Sequence, residues 1–321
     1  MMEIILGEGI GQELKCRPMP AMEISAAEHR LGPCEEAAWR AALPVAEETF
    51  DIQVKARIGK RQETKMTEHV RREIADGIMT LTIARPDKKN ALSNAMYSAL
   101  SDGLELAERE PSVRVVLFQG EGDSFTAGND LADFRAASNE QGGPSEAFRF
   151  IGNLGRATKP LVAAVHGNAV GVGTTMLLHC DLVYLAEDAK LITPFVNLAL
   201  VPEAASSWLL PSRIGHVRAY AMFALGEPMD AVSALSCGLA NAVVPATELR
   251  AQARRAAETL AKRPAGALSQ TKALMRETER IAGQINRESG LFRERLQSAE
   301  AREAFAAFAE RRQPDFSKLA S

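Results

Sequence analysis

The chain has 321 residues, 46% of them hydrophobic and 25% charged, which is enough apolar material for one large or two medium soluble domains. Its 38 basic and 41 acidic residues leave a formal net charge of -3, and aromatics make up only 5%. That balance excludes a general basic field or a base-stacking surface for nucleic acid. No run approaches the roughly 18 apolar residues that a membrane-spanning helix needs. The four cysteines, Cys16, Cys34, Cys180 and Cys237, form no close pair, so no zinc site is suggested and no metal is expected. So few thiols in so long a chain point to a reducing, cytoplasmic setting.

Residues 1–65 are punctuated by Pro18, Pro20, Pro33 and Pro44 and develop no long apolar period. They are expected to form a poorly ordered extension, with one short helix between Glu35 and Glu48, and Met66 is a candidate natural start. From Ile78 to Ile83 the pattern alternates, Met79, Leu81 and Ile83 on one face and Thr80 and Thr82 on the other, which predicts a half-buried strand ended by Arg85-Pro86-Asp87. Ser93 is placed to cap a helix whose apolar positions are Met96, Leu100 and Leu104. Val113 to Phe118, Leu161 to Val165 and Leu182 to Leu185 read as buried strands, with a helix from about Gly171 to His179 between the last two. Strands alternating with helices imply crossover connections, hence an α/β fold with a partly parallel sheet. Beyond Ala246 only helical patterns remain, and Phe292, Leu296, Phe305 and Phe308 mark faces that must pack on something, a partner subunit being one option.

Two turns stand out within this frame: Phe125-Thr126-Ala127-Gly128-Asn129-Asp130-Leu131 and Gly167-Asn168-Ala169-Val170-Gly171-Val172-Gly173. Each is an apolar run opening into a glycine-containing turn, whose backbone N–H groups are left to point outward. Two such turns converging on one point would hold a developing negative oxygen. The alternative is that Gly128, Gly171 and Gly173 only permit tight turns or close packing. A dinucleotide loop fails, because the third glycine and the acidic residue about 20 positions on are missing. A G-x-S-x-G nucleophile elbow is absent as well.

Glu203 lies in the apolar run Leu198-Ala199-Leu200-Val201-Pro202-Glu203-Ala204-Ala205. It is either an idle loop carboxylate or a poorly solvated one, whose pKa burial would raise toward that of a general base. His166 and His179 lie on apolar elements and read as packed or hydrogen-bonded. Ser206 and Ser207 have no histidine spaced to activate them and read as helix-capping residues. Asp130 reads as hydrogen-bonding its own turn.

Taken in order, Arg85-Pro86-Asp87-Lys88-Lys89-Asn90-Ala91-Leu92, Ala127-Gly128-Asn129-Asp130-Leu131, Lys159-Pro160, Gly171-Val172-Gly173, Cys180-Asp181, Thr193-Pro194-Phe195, Pro202-Glu203 and Gln297 to Phe305 resemble the crotonase (enoyl-CoA hydratase/isomerase) superfamily over about residues 70–321. The resemblance implies a spiral ββα core over 66–257 and a helical C-terminal trimerisation region over 258–321, giving a homotrimer or a dimer of trimers. It implies acyl-CoA thioesters as substrates, with CoA part of the substrate and no separate cofactor, and a place in fatty-acid degradation. It assigns the thioester oxygen to the backbone N–H groups of Asn129 and Val172, the latter opening a helix whose dipole would add to the attraction. It sets Lys88, Lys89, Ala91, Ala127, Gly128, Asp130 and Leu131 along the CoA channel. Apart from the resemblance, Phe195, Leu198 and Trp208 are expected to form an apolar wall that excludes water.

The departures from the family pattern select within it. Of the two glutamates of a hydratase, one would fall at Thr175 and the other near Phe195, and neither is an acid. Glu203 instead matches the base of the isomerases that convert 3-enoyl-CoA to 2-enoyl-CoA. A single carboxylate suffices to carry a proton from C2 to C4. A hydratase of the same superfamily and a non-catalytic acyl-CoA binder or scaffold subunit are the alternatives.

Overall fold

The computed structural model describes residues 68–130 and 146–319. The expected N-terminal extension, its short helix and Leu131 lie outside these residues. In chain order the strands are β1 (Val70–Ala75), β2 (Ile78–Ile83), β3 (Val115–Gly120), β4 (Leu161–Val165), β5 (Asn168–Val170), β6 (Leu182–Ala186), β7 (Lys190–Ile192), β8 (Met229–Asp230) and β9 (Ala242–Val244). The α-helices are α1 (Asn94–Arg109), α2 (Glu146–Arg156), α3 (Val172–Thr175), α4 (Ser206–Ile214), α5 (His216–Tyr220), α6 (Ala231–Ser236), α7 (Ala246–Ala261), α8 (Ala265–Leu274), α9 (Thr278–Leu296) and α10 (Ala299–Ala309).

β1 and β2 form an antiparallel hairpin across two residues, Asp76 and Gly77, both at positive φ (54° and 77°). This is the mirror-image turn geometry that matches the right-handed twist of paired strands, and Asp-Gly suits it because Gly has no Cβ to clash there. From β2 onward the main sheet is parallel, in the order β1-β2-β3-β4-β6-β9. A second sheet has the order β5-β7-β8, with β5 and β7 parallel and β8 antiparallel to β7. The chain leaves β4 for β5, returns to β6 and leaves again for β7, so successive turns of a spiral feed the two sheets alternately.

The period-two pattern decides what each face of the main sheet meets. Met79, Leu81, Ile83, Val116, Phe118, Leu161, Ala163 and Val165 point to one core, where they meet α1 and α2. Ile78, Val115, Leu117, Val162, Ala164, Tyr184 and Ala186 point to the other, covered by Leu249, Ala253 and Ala257 of α7. The assignment of Met79, Leu81 and Ile83 to one face therefore holds, but the strand is not half-buried: Ile78 and Thr82 on the other face are buried as well, because α7 covers that side. β3 begins two residues later than the apolar run suggests, because Val113 N–H is used by Glu110 O to close the preceding turn. Ser93 caps α1 as expected, its hydroxyl accepting Met96 N–H.

The stretch Gly171–His179 departs from a single helix. It is α3, four residues long, followed by a 3₁₀ turn over Met176–His179. Few aligned peptide units remain, so the dipole expected to help at Val172 is small.

The C-terminal helices turn back on their own chain. Phe292 stacks edge-on against Phe148 of α2 at 6.0 Å, and Ile281 and Ile285 are buried. Phe305 is buried too, whereas Phe308 stays 60% exposed. α8 is tied to the core by Lys272, whose ammonium donates to Asp181 Oδ2 and to Lys159 O, both at 2.8 Å. The same carboxylate oxygen accepts Leu161 N–H at 2.7 Å at the start of β4. Asp181→Ala would leave a buried ammonium and a strand N–H without their acceptor. Because the Asp181 side chain is 29% exposed, the expected loss is about 2–3 kcal/mol, below that of a fully buried pair. Urea unfolding of the variant measures it, and an unchanged midpoint would contradict it.

Candidate active site

The segment between β2 and α1 builds the outer wall of the site. Pro86–Lys88 makes one 3₁₀ turn, after which Lys89 and Asn90 are both left-handed (φ 51° and 58°). Asn90 is fully buried and tolerates this because its side chain replaces missing backbone partners. Its Oδ1 accepts Arg85 N–H, and its Nδ2 donates to Glu121 O and Ser124 O, each at 2.7 Å. Its carbonyl accepts the Thr126 hydroxyl at 2.6 Å. Asn90 thus pins the first glycine turn, a role not assigned to it from sequence, although it lies inside the segment that carries the resemblance.

The two glycine turns are brought together. Thr126 and Ala169 form a parallel bridge, as do Leu92 and Asn129, and Val170 N–H donates to Thr126 O at 3.0 Å. Gly128 (φ 83°) lies so close to the Val170 carbonyl that a Cβ there would sit 2.9 Å from its oxygen. A Cβ on Gly173 would sit 2.4 Å from the Thr126 methyl. Both glycines are therefore required for close approach. Among the described residues, the N–H groups of Asn129 and Val172 donate to no protein acceptor. Leu92 N–H and Asp130 N–H, in contrast, close ladder bonds on either side of Asn129, to Gly128 O and Leu92 O.

Asp130 reaches beyond its own turn. Its carboxylate accepts Arg85 Nη1 at 2.7 Å, and the same nitrogen donates to Ala91 O at 3.1 Å. This contact spans 45 residues of sequence and is charge-assisted. Lys88 and Lys89 are exposed, and Lys89 pairs with Asp123 at 2.8 Å. Ala91 and Ala127 are half-buried beside them.

Glu203 is buried, with 5% of its surface accessible. Thr175 Oγ1 donates to its Oε1 at 2.5 Å, and its Oε2 has no partner among the described residues. Thr175 ends the four-residue helix that begins at Val172, so the carboxylate is held within one turn of that N–H. Burial pushes the Glu203 carboxyl up to about 8; the Thr175 hydrogen bond opposes this and the negative charge of Glu288 adds to it. Glu203 is therefore not an exposed loop carboxylate.

Tyr97 joins the site from α1. Its hydroxyl donates to the side-chain carbonyl of Asn129, and burial together with the nearby Glu203 holds its phenol well above the usual range. Tyr97 was not anticipated, since it adjoins the Met96-Leu100-Leu104 stripe and reads as core. His179 is buried and neutral, as expected of a packed histidine. Its Nε2–H donates to Ala204 O at 2.8 Å, its Nδ1 accepts Arg276 at 3.0 Å, and burial drops its pKa to about 3. His166 bonds Gly122 O through Nε2 at 3.0 Å.

Ser206 and Ser207 do not cap α4. The N-cap is Ala205, in a left-handed conformation. Cap chemistry comes from Glu288 of α9, which accepts Ala205 N–H at 2.6 Å, Ser207 N–H at 3.0 Å and the Ser207 hydroxyl. Phe195 is buried against Phe223, ring centroids 6.0 Å apart, and Leu198 is partly buried beside the same core. Trp208 is also partly buried, but Arg280 stacks over its ring at 4.1 Å, so one face meets a cation and not an apolar group.

Comparison with known proteins identifies the family. Residues 73–319 match the family model described as Enoyl-CoA hydratase/isomerase. The 1,2-epoxyphenylacetyl-CoA isomerase of Escherichia coli (strain K12) is 32% identical over 259 residues, covering 78% of this chain and 99% of that protein. Enoyl-CoA delta isomerase 2 of Rattus norvegicus is 34% identical over 230 residues, or 69% of this chain; the match spans only 57% of the rat protein. The crystal structure of an enoyl-CoA hydratase/isomerase from Pseudoalteromonas atlantica T6c superposes with a TM-score of 0.74 at 41% identity, covering 78% of this chain and all of that one. A spiral of parallel strands, two glycine turns bridged to each other and a family match over most of the chain lead to one conclusion: this chain belongs to the enoyl-CoA hydratase/isomerase family and has the crotonase fold.

Proposed function

We propose that the chain is an enoyl-CoA isomerase that moves a double bond from the 3- to the 2-position of an acyl-CoA in fatty-acid degradation. The observation that carries this reading is Glu203, a buried carboxylate with one oxygen held by Thr175 and the other unpartnered among the described residues. Glu203 takes a proton from C2 of the 3-enoyl thioester. The electron pair moves to the thioester oxygen, giving a dienolate, and the proton returns at C4. The N–H groups of Asn129 and Val172 stabilise that oxygen, each such donor typically contributing roughly 2.7–4 kcal/mol. No metal or separate cofactor takes part; CoA belongs to the substrate, and its channel runs past Lys88, Lys89, Ala91, Ala127 and Asp130.

Hydration would need a second group to position water. Thr175 occupies one position where an acid would serve and Phe195 lies near the other. The other buried carboxylate nearby, Glu288, already accepts through both oxygens. Phe195 and Leu198 add apolar surface against water. Exposed apolar residues on α5 and at the end of α8, among them Val217, Leu274 and the adjoining Met275, support assembly as a trimer or a dimer of trimers.

The test follows absorbance at the conjugated-enoyl band. With 3-hexenoyl-CoA the absorbance is expected to rise, and with 2-hexenoyl-CoA to stay constant. A fall with 2-hexenoyl-CoA would mean hydration, and no change with either would leave an acyl-CoA binder.

A further inference from the structure

We propose that Glu288 is a positioning residue for the active-site carboxylate: from α9 it clamps the strained turn Ala204–Ser207 and so fixes where Glu203 points. This inference rests on Glu203 being the base. Directly after Glu203 come two alanines, Ala204 and Ala205, at φ 61° and 56°. Single left-handed residues with a Cβ are uncommon, and two in succession persist only where the surroundings over-determine them. Here the surroundings do so from two sides.

On the N–H side, the Glu288 carboxylate spans the turn. Oε2 takes Ala205 N–H at 2.6 Å, and Oε1 takes both Ser207 N–H at 3.0 Å and the Ser207 hydroxyl. Gln284, one helical turn earlier, donates to that same hydroxyl oxygen at 2.7 Å and so sets its direction. On the carbonyl side, His179 donates to Ala204 O at 2.8 Å and is itself held by Arg276. Glu288 is 4% exposed, and a carboxylate is rarely buried this far unless its oxygens are satisfied. α4 could have been capped by its own Ser206 or Ser207, yet the cap comes from a helix some 80 residues on. That choice links the base to the C-terminal helices.

The charge of Glu288 matters as well as its reach. The groups facing Glu203 are Tyr97 from α1, Thr175 from α3 and Glu288 from α9. Beyond the turn lie neutral His179 and the guanidiniums of Arg276 and Arg213, and Arg280 stacks on Trp208. The Glu288 charge opposes ionisation of Glu203, so removing it makes the base easier to ionise.

Glu288→Gln and Glu288→Asp separate the two contributions. Both are assayed from about pH 6 to pH 10 on whichever hexenoyl-CoA the wild type turns over. Glu288→Gln keeps the shape, loses the charge and presents an amide NH₂ where an acceptor is needed. Its kcat is expected to fall about tenfold or more with KM within about twofold, and the acid limb of its pH profile to move to lower pH. Glu288→Asp keeps the charge but cannot reach both N–H groups, so kcat falls while the limb stays nearer the wild-type position. A Glu288→Gln enzyme with wild-type kcat and an unmoved limb overturns the proposal. Should Glu288→Gln not fold, a Glu288→Asp enzyme with wild-type kcat overturns it equally. Glu203→Gln run in parallel separates the readings: if it is active, base and clamp both fall; if it is inactive while the Glu288 variants match wild type, only the clamp falls.

Discussion

Glu203→Gln is expected to lose turnover by a factor of about 10²–10⁴, the usual contribution of a general base, while still binding a CoA ester. The amide can still accept the Thr175 hydroxyl through its oxygen, so the local structure has no reason to change. What disappears is the capacity to take up a proton. Calorimetric titration with a saturated acyl-CoA checks binding, and turnover of the same preparation checks chemistry. An active Glu203→Gln protein would sink the assignment of the base. In the wild type, the ionised carboxylate is the working form and its pKa is raised to about 8. Turnover should therefore climb with pH through about 8 and fall away below it.

The same shift predicts a stability effect of opposite sense. The native state holds the Glu203 proton more tightly than the unfolded chain, where a carboxyl titrates near its ordinary value of 4.5. Stability is fully present below that value and is lost as pH rises toward 8, by an amount on the order of a few kcal/mol. Glu203→Gln carries no such penalty. It should melt above the wild type at pH 8 and higher, and level with it near pH 4.5. A variant that loses activity yet gains alkaline stability would show that the desolvated carboxylate is kept at a cost to the fold. Equal melting at both pH values would refute the burial argument.

How far these features could be read from the sequence depended on the range of the interactions that make them. Ser93 and the stripe Met96-Leu100-Leu104 are local, and both appear as read. So do the faces of β2 and the all-helical end of the chain. Asp76-Gly77 is an equally local hairpin signal, flanked by apolar residues, and could have placed β1 before β2. The site is another matter. Glu203 could be singled out as an acid in an apolar run, but not the partner that holds its carboxylate, Thr175, 28 residues away. For Asp130 and Ser207 the sequence offers only nearby backbone as partners; the structure brings distant ones, Arg85 to Asp130 and Glu288 to Ser207. Tyr97 is buried on α1 beside the apolar stripe, and nothing in its spacing shows that its hydroxyl ends on Asn129.

Gly128→Ala tests the other half of the site. The residue is fixed on three sides: its N–H meets the Thr126 hydroxyl at 3.1 Å, its carbonyl accepts Leu92 N–H at 2.8 Å, and its Cα faces the Val170 carbonyl. A methyl group there would stand 2.9 Å from the Val170 oxygen, at a φ of 83° that disfavours any Cβ. The Val170 carbonyl cannot easily retreat, since the Val170 N–H is bonded to Thr126 O in the bridge between the turns. The turn carrying Asn129 must move instead, and Asn129 N–H moves with it. If that N–H stabilises the dienolate oxygen, kcat/KM should fall by about 10²–10³, the loss expected for one such donor. The left-handed strain should lower stability by about 1–2 kcal/mol as well. Comparing turnover with saturated acyl-CoA binding separates the two: folding damage alone would depress them together, whereas a displaced donor lowers turnover far more. Turnover near the wild-type level with the methyl in place would mean that the thioester oxygen is held elsewhere, and that these two turns meet for packing alone.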